Sequence, residues 1–83
     1  MYEILFSDKA YRQLKKLEKD TQERIISVLE RVRIKPEHHL TKLIGDPGYK
    51  LRVGDYRIIL DVENSKLTIL VLKIGHRKNI YKL

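Results

Sequence analysis

The sequence has no cysteine, no tryptophan and only two prolines among its 83 residues. Without cysteine the protein has no disulfide bond, no thiolate metal ligand and no cysteine nucleophile, as is common in a reducing cytoplasm. No apolar run approaches the roughly 18 residues of a membrane-spanning helix, and Glu3 directly after Met1 and Tyr2 is unlike the start of a signal peptide. The composition therefore predicts a soluble, cytoplasmic protein without a membrane segment.

Positive charge is what the sequence has in excess, with a formal net charge of +7. From residue 49 to residue 83, eight lysines and arginines stand against three acidic residues, an excess of five. Basic residues on helices are usually only solvated, but such an excess in one segment favours a polyanionic partner, either a nucleic acid or a strongly acidic protein.

The first half of the chain predicts a strand and two helices. A short strand over residues 2–6 is followed by Ser7, a typical helix N-cap. A second helix is predicted to begin at residue 20 or 21, with Glu23 in the capping-box position, and to end before Pro36. Both helices carry apolar stripes at helical spacing, which are Ala10, Leu14 and Leu17 in the first and Ile25, Leu29 and Val32 in the second.

The second half predicts an antiparallel sheet. Residues 37–48 are predicted to be a loop that ends in a turn at Asp46-Pro47-Gly48. Gly54-Asp55 has the composition of a two-residue type II′ hairpin loop. The predicted fold class is α+β: an N-terminal strand, an antiparallel helix hairpin and a three- to four-strand antiparallel meander, all in one domain over residues 1–83. The predicted strands of the meander are residues 49–53, 56–62, 67–74 and 79–82.

A loop at Gly54-Asp55 fixes the register of the hairpin, so that Arg52 lies directly opposite Arg57. Alternation then directs Leu51, Val53, Tyr56, Ile58 and Leu60 toward the helices and Lys50, Arg52, Arg57 and Ile59 to the other face. Like charges directly opposite on a sheet cost roughly 0.2–1 kcal/mol, which favours an anion site there, because arginine grips phosphate with two nitrogens. The alternative is that these side chains splay into water and are screened.

The C-terminal tail adds further candidate residues. Coming off the third strand, it can bring Arg77 and Tyr81 beside the cationic face. Tyr81 is interpreted either as a packing residue or as a platform on which an RNA base stacks. His38 and His39 have no other plausible ligand nearby in the sequence, so we expect loop surface there and no metal site.

Residues 49–59, followed by residues 74–77 and Tyr81, resemble the signature of the RelE/ParE toxin superfamily. The resemblance covers essentially the whole chain. Its RelE branch implies a type II toxin, a ribosome-dependent endoribonuclease (mRNA interferase) that inhibits translation by cleaving mRNA in the ribosomal A site. A cognate RelB-like antitoxin would hold it inactive in a hetero-oligomer. The ParE branch implies the alternative, a toxin without nuclease activity that inhibits DNA gyrase, and an RNA-binding module without catalysis is a third possibility.

By this resemblance, the catalytic residues are Lys50, Arg52, Arg57, Arg77 and Tyr81. The implied reaction uses the adjacent 2′-hydroxyl as nucleophile, without a metal ion or another cofactor. We expect Arg57 and Arg77 to hold the scissile phosphate, with Lys50 as the base and Tyr81 or His76 as the alternative bases. The RNA-binding residues are expected to be Lys50, Arg52, Arg57, His76, Arg77, Lys78 and Tyr81.

Overall fold

Five strands form a sheet with two helices on one face, in a computed structural model that describes residues 1–78. The predicted α+β class is confirmed. The strand predicted over residues 79–82 and Tyr81 lie outside the described residues. The elements in chain order are β1 (Glu3–Phe6), α1 (Asp8–Lys15), α2 (Lys19–Val32), β2 (Thr41–Lys42), β3 (Tyr49–Val53), β4 (Tyr56–Glu63) and β5 (Thr68–His76), with short 3-10 turns at Pro36–His38 and Asn64–Lys66.

The strand order in the sheet is β1-β5-β4-β3-β2. β3, β4 and β5 are the predicted antiparallel meander, and β1 pairs with β5 in parallel. The core lies between the helices and the inner face of the sheet. Its buried members are Ala10, Leu14, Ile25, Leu29, Val32, Leu51, Val53, Ile58, Leu60, Ile69, Val71 and Ile74. No helix within residues 1–78 is both long and apolar enough to cross a membrane.

The two helix starts differ in how they are capped. Ser7 is the N-cap of α1, as predicted, and its hydroxyl accepts a hydrogen bond from the backbone N–H of Ala10 at 3.0 Å. The capping box predicted for α2 is wrong, because the N-cap is Glu18 and its side chain makes no capping bond. The side chain of Gln22 instead donates to the carbonyl of Leu17 at 2.8 Å, which ties the turn between the helices to the first turn of α2.

The predicted loop over residues 37–48 contains the two-residue strand β2, which the sequence did not reveal. Its residues Thr41 and Lys42 pair with the start of β3. The backbone N–H of Leu43 also donates to the carbonyl of Gly48 at 3.0 Å, which closes the connecting loop. Two residues are too few for alternation of apolar and polar side chains to reveal a strand.

A β-bulge interrupts the pairing of β4 with β5. Ile59 pairs with Lys73 but Leu60 pairs with Val71, which leaves Leu72 as the extra residue. The side chains of α1 bond the backbone groups around the bulge. Ser7 Oγ donates to the carbonyl of Leu72 at 2.9 Å, and Gln13 Oε1 accepts from the N–H of Ile74 at 2.7 Å.

Candidate nucleic-acid interface

The hairpin of β3 and β4 has the predicted register. Gly54 has φ 60°, as a type II′ turn requires at its first central position, and Arg52 lies directly opposite Arg57. Leu51 and Ile58 are buried toward the helices, so alternation directs the arginines to the opposite face. The structure therefore confirms that two cations occupy facing positions on the side of the sheet away from the two helices.

A cleft of about 740 Å³ lies on the face of the sheet that points away from the two helices. Lys50, Arg57 and Lys73 provide its positive charge, and Ile59 and Leu72 are among its apolar residues. Its walls also contain two carboxylates, those of Asp46 and Asp61. The combination of an apolar surface and amine and guanidinium donors can hold a phosphate and support the base or sugar attached to it.

The predicted site residues divide between the cleft and its surroundings. Lys50 and Arg57 are half-buried and line the cleft. Arg52 is exposed, and its Nε donates to the carbonyl of Gly54 at 3.3 Å, so its guanidinium lies beside the hairpin turn. These three positions are neighbours on β3 and β4, as the sequence predicted.

Arg77 and Lys78 are exposed and follow the end of β5. The backbone N–H of Arg77 donates to the carbonyl of Asp55 at 2.9 Å, which holds the backbone at Arg77 next to the hairpin turn. Because Arg57 pairs with Gly75, two residues before Arg77, the three arginine positions gather at this end of the sheet. Where Tyr81 lies relative to them is outside the described residues.

His76 lies on the other side of the sheet from the cleft. Its ring meets the ring of Tyr56 edge to face, with centroids 5.7 Å apart, and its Nδ1 accepts a hydrogen bond from the backbone of Lys78 at 3.3 Å. Tyr56 pairs with the buried Val53, which identifies this as the helix-facing side. An RNA contact or a proton transfer by His76 therefore stays a prediction and would have to occur around the sheet edge.

Lys73 is a cleft residue that the sequence analysis did not include in the site. Partial burial, together with the nearby amine of Lys9, lowers the pKa of Lys73 from its ordinary value. Strict alternation along β5 would turn Lys73 inward, and the bulge turns it to the cleft instead. The buried residues Val71 and Ile74 are three apart, but the apolar run from Ile69 to Leu72 hides this step in the sequence.

Arg24 is a second cation that the sequence analysis did not include. A Cβ built on Gly54 would lie 3.4 Å from Nη1 of Arg24, so this helix side chain reaches the hairpin turn. Arg24, Arg52 and the backbone of Arg77 therefore surround the same two-residue loop. No pattern in the sequence indicates this contact, because it arises from how α2 packs on β3.

His38 is part of a 3-10 turn and His39 follows it directly, and both side chains are exposed, as expected for loop surface. Across residues 1–78 the structure has no group of three histidine, aspartate or glutamate side chains that could hold a metal ion.

Residues 4–81 match a family model described as the ParE toxin of type II toxin-antitoxin systems, parDE. The chain therefore belongs to this family, within the RelE/ParE superfamily. It is a toxin of a type II toxin-antitoxin system. No curated protein sequence matches the chain significantly.

Solved structures of RelE toxins share the fold. The chain is similar to the toxin in the intact Escherichia coli RelBE toxin-antitoxin complex, with a TM-score of 0.81, 27% identity and coverage of 92% of this chain and 96% of that one. For the Methanococcus jannaschii RelB-RelE complex the TM-score is 0.74 at 28% identity, with 94% and 95% covered. The Mycobacterium tuberculosis RelBE2 complex matches with a TM-score of 0.84 at 22% identity, covering 92% and 98%, which shows the fold alone.

Proposed function

We propose that this toxin is a ribosome-dependent endoribonuclease that cleaves mRNA in the ribosomal A site. The observation that carries the proposal is the cleft, where Lys50 and Arg57 line one wall and the Arg52 and Arg77 positions adjoin its hairpin end. A phosphate-binding site needs such donors. Membership of the toxin family supports a role of this site in toxicity.

In the proposed reaction the 2′-hydroxyl oxygen attacks the neighbouring phosphorus, and the bond from phosphorus to the 5′-oxygen breaks. The products are a 2′,3′-cyclic phosphate and a 5′-hydroxyl. Arg57 and Arg77 stabilise the negative charge on the phosphorane, and such donors are each worth about 10²–10³ in rate. In the proposed step the neutral amine form of Lys50 takes the proton of the 2′-hydroxyl, or Tyr81 does so instead of orienting a base, and a proton passes through solvent to the leaving 5′-oxygen.

No histidine among residues 1–78 lines the cleft, although histidine is the usual group for proton transfer. We therefore infer that the enzyme is slow on free RNA and depends on the ribosome to align the 2′-oxygen with the breaking bond, which provides rate by orientation. This target places the activity in the cytoplasm.

The proposed partner is a RelB-like antitoxin. The solved relatives from Escherichia coli and Methanococcus jannaschii are complexes with RelB. A net charge of +7 and apolar residues in an open cleft suit an acidic, amphipathic segment of such a partner.

The test is to add the purified protein to a defined translating ribosome complex and to map the mRNA ends. We expect cleavage in the A site by the parent protein and a loss of about 10²–10³ in rate for Arg57→Ala. Lys66→Ala, which removes an exposed cation at the opposite end of β5, is the matched control and should cleave like the parent.

A DNA gyrase supercoiling assay on the same preparation separates the alternatives. An intact message together with lost supercoiling would overturn the proposal in favour of a gyrase inhibitor. If Arg57→Ala is folded, as verified by circular dichroism, and cleaves mRNA as fast as the parent protein, the cleft is not the catalytic site.

A further inference from the structure

The second half of β5 has an edge beside the cleft that β1 does not cover. β1 pairs only with Thr68–Val71, so within residues 1–78 no strand adjoins the rest of β5 on that side, where Ser7 and Gln13 bond its backbone instead. α1 begins next to this edge, and Lys9 lies in its first turn. The amine of Lys9 lies close enough to the amine of Lys73, the cleft residue that the bulge turns outward, to disfavour its positive charge.

Two amines this close repel each other when both are charged, and no carboxylate in the described part of the chain forms an ion pair with either. Partial burial is the main cause that lowers the pKa of Lys73, and the charge of Lys9 lowers it further. Lys9 is exposed and Lys73 is half-buried in the lining of the cleft, and the two amines lie close together although both side chains are long enough to move apart. An anion bound between them would replace repulsion with attraction.

The position of this amine pair relative to Arg57 fits a chain of phosphates. Lys73 pairs with Ile59, while Arg57 lies two residues earlier on the same strand, β4. Diagonal neighbours of this kind are about 7–8 Å apart along a sheet, a separation comparable to one nucleotide step of an extended single strand. Asp61 lies beyond the bulge, opposite Leu70, so the space between Lys73 and Arg57 is away from its carboxylate.

We infer that Lys73 and Lys9 form a second phosphate-binding position of the cleft, which holds the RNA phosphate one nucleotide away from the one at Arg57. Lys73 contacts this phosphate directly, and Lys9 acts as a positioning residue that directs the Lys73 amine and adds positive potential. The inference rests on the proposed function only because it takes RNA as the ligand. A binding measurement tests the inference, and a cleavage assay tests the proposed function.

The experiment uses 2′-O-methyl oligonucleotides, which bind but cannot be cut because the nucleophile is blocked. A fluorescent dinucleotide with one phosphate and a tetranucleotide with three are titrated with the full-length protein at several salt concentrations. We expect Lys73→Ala to weaken binding of the tetranucleotide about tenfold, the equivalent of one charge-assisted contact, and to reduce its salt slope by about 0.7. Binding of the dinucleotide should be unchanged.

Matched variants separate a phosphate contact from a general loss of charge. Lys66→Ala should bind both ligands like the parent, and Arg57→Ala should weaken both. Lys73→Arg should retain the parental affinity and salt slope. For Lys9→Ala, NMR of the Lys73 side chain should show a higher pKa in the free protein, and tetranucleotide binding should weaken.

The inference is overturned if Lys73→Ala binds the tetranucleotide with parental affinity and slope, or if the parent does not bind it even at low salt. It is equally overturned if Lys66→Ala is as weak as Lys73→Ala, since only net charge would then matter. A parent that shows the expected binding but cuts no message on ribosomes would sink the proposed function and leave the second phosphate position standing.

Discussion

At the scale of single residues, Gly54 determines where the cations of the hairpin lie. Its φ of 60° permits the two-residue loop, and this loop places Arg52 opposite Arg57. A longer loop would shift the register and move the arginines relative to each other. This part of the site was predictable from the sequence because a local turn and strict alternation determine it without reference to the rest of the fold.

Gly54→Ala should destabilise the protein by about 1–2 kcal/mol, the cost of placing an L-residue at positive φ. The new Cβ would also contact the guanidinium of Arg24, at 3.4 Å. Urea denaturation measures the change in the free energy of unfolding. Asp55→Ala, at the other loop position, is the control and should stay within about 0.5 kcal/mol. Equal stabilities for the two variants would contradict the argument from backbone conformation.

At the scale of elements, the bulge in β5 shapes the cleft, because it places Leu72 and Lys73 in its lining. The extra residue, Leu72, shifts the alternation so that Lys73 reaches the cleft while Ile74 stays in the core. The sequence analysis predicted the strand but not the bulge, because period-two alternation cannot locate an inserted residue. The contacts of Lys9 and Arg24 were equally unpredictable, since they depend on how helices pack against the sheet.

Gln13→Ala should lower the free energy of unfolding by about 1–3 kcal/mol, because it leaves the part-buried N–H of Ile74 without its acceptor. Gln13→Glu keeps an acceptor oxygen at the same reach and should lose less. Hydrogen exchange of the Ile74 amide, measured by NMR, should speed up in the alanine variant and remain slower in the glutamate variant. Equal protection in both variants would show that the side-chain bond does not hold the bulge.

At the scale of the whole molecule, a small buried core supports a strongly basic surface. Within residues 1–78, twelve buried apolar residues hold the sheet and helices together, while the sequence carries 18 lysines and arginines. Folded domains have only about 5–15 kcal/mol of net stability, and repulsion among the cations reduces it further. Stability therefore depends on a few central side chains of β4 and β5.

Leu60→Ala should cost about 2–5 kcal/mol, because Leu60 has 0% exposure and its truncation leaves a cavity in the core. Ile44→Ala, at a position that is 97% exposed, is the control and should change stability by less than about 0.5 kcal/mol. Thermal unfolding followed by circular dichroism compares the two. A small effect at Leu60 would mean that the sheet tolerates loss of central packing.

The parallel pairing of β1 with β5 affects when the sheet and its cleft can form during synthesis. β1 leaves the ribosome first but has no neighbour in the sheet until β5, more than 60 residues later, has also emerged. The wall formed by β5 is equally missing until then. A nascent chain therefore cannot assemble the cleft before β5 has emerged, even though β1, both helices and β2 to β4 are already available.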